Sequence, residues 1–384
     1  MELLRIGTRR STLALWQANE VRRILRLNGI PSELVHLSSS GDRSLGGNLS
    51  STVGQFVHGI DKMLIEGKVD ITVHSAKDIP VEETPEVRTI AYLERGETSD
   101  LILTGESSGW SSMPKVLQTE ASNPLVEILN NLPEKSKVGT VSGRRQSFLI
   151  ASRPDLVPIS VRGHIETRLD RLIENRVDYL ILAEAGVRRL FDSGSLSERH
   201  LRLGTVRIRE DDWPTAPGQG AIAVNCRSMD VEKHNNLREI LNHVITENAV
   251  KQERLALMRI GGGCLYPAGI KSQEGAITAA ISPEYWRTSY CTGDRYEVYR
   301  YQGDVGDLDL SEIGVSGKKS IPPDEGAKLV TTLTSQRLST QLINSGVQTV
   351  DVPVVELSSL QREWPADFIG PYTKKSRWPI LVLT

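Results

Sequence analysis

Four times in the first 210 residues, an apolar run of strand length ends in a short basic loop and a helical pattern follows. Leu3–Gly7 leads into Thr8-Arg9-Arg10-Ser11, then a helix predicted from about Thr12 to Leu27 and closed by Gly29. Lys137–Thr140 leads into Val-Ser-Gly-Arg-Arg-Gln, where Ser142 suits the N-cap of a helix running to Ala151. Val157–Val161 leads into Arg162-Gly163-His164 and a helix carrying Arg168, and Tyr179–Ala183 into a helix with Arg188 and Arg189 in its early turns. Strands alternating with helices in this way give α/β architecture with largely parallel sheets.

Arginine near a helix N-terminus opposes the helix dipole, so local propensity does not explain these choices. An anionic ligand does: backbone N–H groups at helix starts favour anions, and guanidinium forks bind carboxylates or phosphates through paired hydrogen bonds. In open α/β sheets such ligands collect beyond the carboxyl ends of the strands. One such loop is ordinary surface chemistry, whereas four point to a polyanion site whose arginines serve binding rather than core packing.

A fifth junction carries a carboxylate. Val69-Asp-Ile-Thr-Val-His74 has a buried-strand pattern, and Ser75-Ala-Lys77-Asp78-Ile-Pro80 follows. Among cations, Asp78 stays ionised and can stabilise a developing positive charge or move a proton. His74 reads as a packed strand-end residue. Farther on, Arg259-Ile-Gly-Gly-Gly-Cys264 sets a thiol past a triple-glycine break. The helix predicted over about Thr246 to Met258 should stop at Gly261 in the left-handed turn that ends helices. The residues alone leave Cys264 equally open to being an inert loop thiol.

Other classes are excluded by what the chain lacks. Its 384 residues suffice for two or three domains, and a net charge of −2 gives no electrostatic footprint for nucleic acid or a membrane surface. No apolar run reaches membrane-spanning length, the first residues show no apolar signal segment, and Cys226, Cys264 and Cys291 are spaced for neither disulfides nor a metal. A cytoplasmic protein without a metal site is expected. Gly41-Asp-Arg-Ser-Leu-Gly46-Gly47 has phosphate-loop spacing but Gly47 where lysine is required. Trp213 to Cys226, rich in proline and glycine, reads as a hinge or domain crossover feeding a strand in which Cys226 is core. A non-catalytic two-lobed polyanion binder would need the same arginines, but neither Cys264 nor Asp78.

The ordered set of motifs closely resembles the hydroxymethylbilane synthase (porphobilinogen deaminase) family. It comprises Arg-Ile-Gly-Thr-Arg-Arg-Ser-Thr-Leu-Ala-Leu-Trp-Gln-Ala (5–18), Val-His-Ser-Ala-Lys-Asp-Ile-Pro (73–80) and Gly-Thr-Val-Ser-Gly-Arg-Arg-Gln (139–146). Val-Arg-Gly-His-Ile-Glu-Thr-Arg-Leu (161–169), Ala-Pro-Gly-Gln-Gly-Ala (216–221) and Gly-Gly-Cys-Leu-Tyr-Pro (262–267) complete it. The resemblance implies stepwise condensation of four porphobilinogen molecules with loss of ammonia, on a dipyrromethane cofactor held by a thioether to Cys264. It implies that Asp78 faces the pyrrole nitrogens and stabilises the cationic azafulvene intermediate. It places Lys77, Ser11, Ser142, Arg144, Arg145, Arg168 and Arg189 on the cofactor, and Arg9, Arg162 and Gln219 on the substrate. Each pyrrole brings two carboxylates, which suits a cleft of arginines.

The resemblance also implies a monomer of three α/β domains. The first two are lobes like those of periplasmic binding proteins, at about 1–94 with 205–220 and at 95–204; the third, at 221–325, carries the cysteine. The chain departs from the family at Val53-Gly54-Gln55-Phe56, a shortened active-site cover without lysine, and at Val141, Gly143 and His164. After a linker at Pro322-Pro323, Lys328–Thr332, a helical stretch over Ser335–Ser345 and Thr349–Val355 make a β-α-β pattern. This tail, 326–384, resembles the opening of uroporphyrinogen-III synthase, too short for activity of its own but compatible with association with that enzyme.

Overall fold

The structure, a computed structural model, describes residues 3–37, 52–81, 84–106, 109–262, 266–308, 329–331 and 349–351. Within these, residues 52–58, 288, 291 and 292 and the two tail strands are described by their backbone only. The chain divides into two units, residues 1–317 and 318–384.

In the first unit β1 (Leu4–Thr8), β2 (Ser32–His36), β3 (Ile71–Ser75) and β4 (Val87–Tyr92) all run one way. The helix Thr12–Leu27 covers them, as its pattern predicts: Gln17, Ala18, Val21 and Leu25 line one stripe and are buried against the sheet, and the Ser11 hydroxyl caps it by accepting from the Ala14 N–H at 3.3 Å. The chain then leaves this sheet and builds another from β5 (Asp100–Thr104), β6 (Lys137–Gly139), β7 (Val157–Ile159), β8 (Tyr179–Ala183) and β9 (Gly204–Arg207). It returns as β10 (Ile222–Arg227), which inserts between β3 and β4.

The sheet orders are β2-β1-β3-β10-β4 and β7-β6-β8-β5-β9. In each, a single strand is reversed, β10 in the first and β5 in the second. Those are the strands that have just crossed over: each departs from the carboxyl end of the previous strand and enters its new sheet from that same end. The two crossovers pair with each other, Leu93 N–H to the Ile222 carbonyl at 3.0 Å and Gly96 N–H to the Gly220 carbonyl at 3.1 Å. Largely parallel sheets were the expectation, and the reversed strands are what crossing twice requires.

Strand pairing departs from the expected boundaries in two places. Residues 222–227, expected to open the third region, form a central strand of the first sheet, and residues 205–207, expected with the first lobe, pair with β5 in the second. A strand's pattern encodes burial but not its hydrogen-bonding partner, so the proline- and glycine-rich stretch marked a crossover without saying which sheet the next strand joins. Cys226 is fully buried in β10, as read from its run.

A third sheet follows, β11 (Ala268–Gln273), β12 (Ala276–Ile281) and β13 (Tyr299–Gly303), antiparallel throughout. The helix Val244–Arg259 packs on it through Ala256 and Leu257, against Ile270, Ile277 and Ile281. This layer is tied to both crossovers by fully buried Glu253, which accepts from Arg95 Nη1 and Nη2 at 2.7 and 2.9 Å, Gly218 N–H at 2.7 Å and Ser272 N–H at 2.9 Å. Glu210 repeats the device, accepting from Thr98, Ser99 and Lys271.

In the second unit β14 (Leu329–Thr331) and β15 (Thr349–Asp351) pair in parallel with Leu329 opposite Thr349. The helical stretch expected between them and the Pro322-Pro323 linker lie outside the described residues, as does the loop 41–47.

Candidate functional site

All five junctions singled out in the sequence lie at carboxyl ends of like-directed strands in the first two sheets. The centre is a residue the motifs did not nominate. Asp100, first in β5, has no exposed surface. Its carboxylate accepts from Arg144 Nη2 at 2.5 Å, Arg145 Nη2 at 2.6 Å and Nε at 3.0 Å, Trp213 Nε1 at 2.8 Å and Gln219 Nε2 at 2.9 Å. Burial alone would raise its pKa; the two guanidiniums outweigh burial and hold the carboxyl well below the usual range.

This corrects the expectation that the arginines are spared from packing. Arg144 and Arg145 are 3% and 7% exposed. Besides Asp100, Arg144 Nη1 donates to the Pro214 carbonyl at 3.0 Å and Arg145 Nη1 to the Ile181 carbonyl at 3.0 Å. The anion that offsets their unfavourable place at a helix start is, first of all, part of the chain. Arg189 is also buried; its Nη2 donates to the Gly220 carbonyl at 2.6 Å, its guanidinium lies 5.3 Å from the Trp16 ring centre, and burial lowers its pKa to about 10. A lone Asp heading a run as apolar as Leu-Ile-Leu was the signal available in the sequence, since a buried charge demands partners.

Around this anchor stand groups with capacity to spare. Asp78 ends a single turn of 3-10 helix, Ala76–Asp78, directly after β3, and is exposed. Lys77 Nζ donates to Gln219 Oε1 at 3.2 Å, so the buried Gln219 amide links it to Asp100. Burial and the Arg145 charge push the Lys77 ammonium down to about 8. Arg168, whose Nε donates to the Gly163 carbonyl at 2.8 Å, is also lowered, by burial and then Arg145, with Asp78 acting in the opposite direction. Lys77, Arg168, Arg145 and Asp78 thus share one electrostatic field. The Ser142 hydroxyl caps the helix Gly143–Ser152 by accepting from the Arg145 N–H at 3.4 Å. Arg9 is half-buried just past β1, and Arg162 is exposed past β7. His74 is packed as expected, Nε2 3.0 Å from Asp61 Oδ1 and from Thr72 Oγ1.

The site is therefore short of negative charge. Among the described residues, Lys77, Arg144, Arg145 and Arg168 face Asp100 and Asp78, and Arg144 Nε is buried with no hydrogen-bond partner. Partly desolvated cations standing close to one another gain from any added carboxylate. A multiply acidic organic molecule fits this donor set.

The thiol corner is described on both sides of the cysteine. The helix Val244–Arg259 stops as predicted: Gly261 takes φ +67°, its N–H donates to the Met258 carbonyl at 2.9 Å, and the Gly262 N–H to the Leu257 carbonyl at 3.0 Å. Cys264 itself, with residues 263 and 265, lies outside the described residues, as do the side chains of Val53, Gln55 and Phe56.

Two mixed sheets joined by paired crossovers, with a cation-rich site at their strand ends, define an α/β protein whose charge suits an acidic organic molecule. The family model for the porphobilinogen deaminase dipyrromethane cofactor binding domain matches residues 4–235. A porphobilinogen deaminase from Geobacter sulfurreducens is 35% identical over 274 residues, covering 70% of this chain and 77% of that protein. One from Geotalea uraniireducens is 32% identical over 342 residues, covering 88% and 92%. Among solved structures, an arginine-transport periplasmic binding protein from Legionella pneumophila aligns at 12% identity and TM-score 0.36, over 65% of this chain and 95% of that one. A likeness that low adds nothing to the topology above. The chain belongs to the porphobilinogen deaminase family, transferases of tetrapyrrole biosynthesis that carry a dipyrromethane cofactor.

Proposed function

We propose that Cys264 holds the dipyrromethane through a thioether and that Asp78 is the carboxylate at which porphobilinogen units are joined, with loss of ammonia, before the linear tetrapyrrole is released by hydrolysis. The observation that carries this reading is Asp78 itself: the exposed carboxylate of a site whose other acid, Asp100, is buried under two arginines. Asp100 sets the cationic frame, and Asp78 is left for chemistry.

The cofactor supplies a fixed pyrrole end to which units are added. Lys77, Arg168 and the unpartnered edge of Arg144 hold its acidic side chains, with Ser11, Ser142, Arg145 and Arg189 shaping the same wall; Arg9, Arg162 and Gln219 serve the incoming substrate. Asp78, next to Lys77 and within the field of Arg168, balances positive charge on a pyrrole nitrogen and takes up the proton released when a carbon–carbon bond forms. A thiol beyond a helix C-terminus gains no acidity from the dipole, which suits an anchor made once rather than a recurrent nucleophile.

The division into three lobes with the chain crossing twice, a monomeric state, a cytoplasmic location and association with uroporphyrinogen-III synthase belong to this proposal. The buried free thiol of Cys226 suits a reducing compartment, and among the described residues no helix is long and apolar enough to cross a membrane. The parallel pair β14–β15 is what a β-α-β tail would contain.

The intact mass of the denatured chain tests the central assignment. It should exceed the sequence mass by a two-pyrrole adduct, absent from Cys264→Ser. An unmodified, fully active chain refutes it.

A further inference from the structure

The helix Val244–Arg259 runs beside the segment that carries Asp78 along much of its length. Val250 packs with Ala76 and Ile79 in one buried cluster. One turn later Arg254 donates to three successive carbonyls after the carboxylate: Nη1 to Ile79 at 3.2 Å, and Nη2 to Pro80 at 2.5 Å and Val81 at 3.2 Å. Beyond that, Val81 packs against the core containing Leu257 and Ile260. The helix ends at Arg259, five residues before the cysteine in sequence. Pro80 has no N–H, and a strand exit that sheds its partners so early leaves carbonyls in need of donors. One guanidinium supplies all three, and no motif reading had pointed to it.

We propose that Arg254 is a positioning residue for Asp78: it clamps the carboxylate-bearing turn to the helix Val244–Arg259 and so fixes where the carboxylate stands. This rests on the assignments of Asp78 and Cys264 above. Neighbouring Glu253 binds the same helix to both crossovers, so the Asp78 turn and the crossovers are referenced to one helix. Small displacements of a reacting group cost turnover steeply while leaving binding largely intact, because alignment matters most in the transition state.

Three measurements on the full, cofactor-loaded chain test this. R254Q should lower kcat by about ten- to a hundredfold with KM within about twofold, keep the two-pyrrole adduct by intact mass, and exchange the Ile79 and Val81 amides faster than the unaltered protein. R254K, which keeps the charge but loses the planar fork, should fall between the two, and it carries the test if R254Q does not fold. In the D78N background, R254Q should cost less than about twofold more, because a residue acting through Asp78 has nothing left to position. Unchanged kcat in both Arg254 variants, loss of the adduct, or full additivity with D78N overturns the proposal. Normal turnover by D78N alone overturns the reading of Asp78 on which it stands, and the exchange rates separate that failure from a failure of the clamp.

Discussion

Asp100 and Asp78 are two carboxylates of one site with opposite burial, and the proposed roles, frame for one and chemistry for the other, part at the scale of single residues. Asp100→Asn leaves the guanidiniums of Arg144 and Arg145 short of countercharge in a buried place, which costs about 3–5 kcal/mol. Its thermal midpoint should fall steeply, and Arg145→Leu should fall with it because Asp100 keeps one guanidinium, Arg144, in place of two. Asp78→Asn should melt like the unaltered protein yet turn over about a hundredfold more slowly or worse. Calorimetry together with porphobilinogen consumption decides both; a normal midpoint for Asp100→Asn contradicts the frame described here. Lys77 adds a pH signature. Its folded-state value of about 8 lies below the ordinary lysine value of 10.5, so the folded chain binds the proton less well than the unfolded one. The half-buried charge therefore weakens the cofactor-free fold at neutral pH, and stability is recovered as pH rises from about 8 towards 10.5. Lys77→Gln should stabilise cofactor-free protein at pH 7, with the gain shrinking across that window. Thermal scans at several pH values measure it, and a gain independent of pH assigns the effect to something other than this ammonium.

At the scale of elements, the third sheet is docked by its first strand. A Cβ on Gly269 in β11 would lie 1.9 Å from the Pro214 carbonyl oxygen and 3.2 Å from Arg144 Cδ. That same carbonyl accepts from Arg144, and the neighbouring Ile270 N–H donates to the Thr215 carbonyl at 2.8 Å. Only glycine lets β11 approach so closely. Gly269→Ala should cost about 1–3 kcal/mol through forced backbone shifts and loosen the third sheet before the first two melt. Amide exchange resolved by segment would show this; uniform protection across all three sheets would not fit.

For the whole molecule, the crossovers are where the parts meet. They pair with one another, and Glu253 and Glu210 bind both to the third sheet, leaving the second unit as a separate body. Deleting residues 326–384 should leave porphobilinogen consumption unchanged. Because the tail supplies no ring-inverting activity in this reading, hydroxymethylbilane released by either chain should close without inversion of its last ring to the type I uroporphyrinogen. Chromatography of the oxidised porphyrins checks this, and type III isomer lost on deletion shows the tail to be an active synthase.

Periodicity and capping are local, and what they encode was legible. The helix Thr12–Leu27, the Ser142 cap, β8 at Tyr179–Ala183, the helix stop at Gly261 and the buried Cys226 all stand where spacing put them. So did the concentration of cations at strand ends, since each loop carries its own arginines, and the ordered motifs placed the chain in its family. Pairing over long separations was not legible. No pattern within 222–227 says that it joins β3 and β4, or that Asp100 will meet Arg145 from 45 residues away and Trp213 from 113. The same blindness hid the purpose of Arg144 and Arg145, because a basic loop reads alike whether its anion is a ligand or a buried aspartate. Local chemistry determined the elements and the sign of the site. Only the tertiary structure, by choosing which distant groups share a low-dielectric interior, decided which charges are spent on the fold and which remain for the reaction.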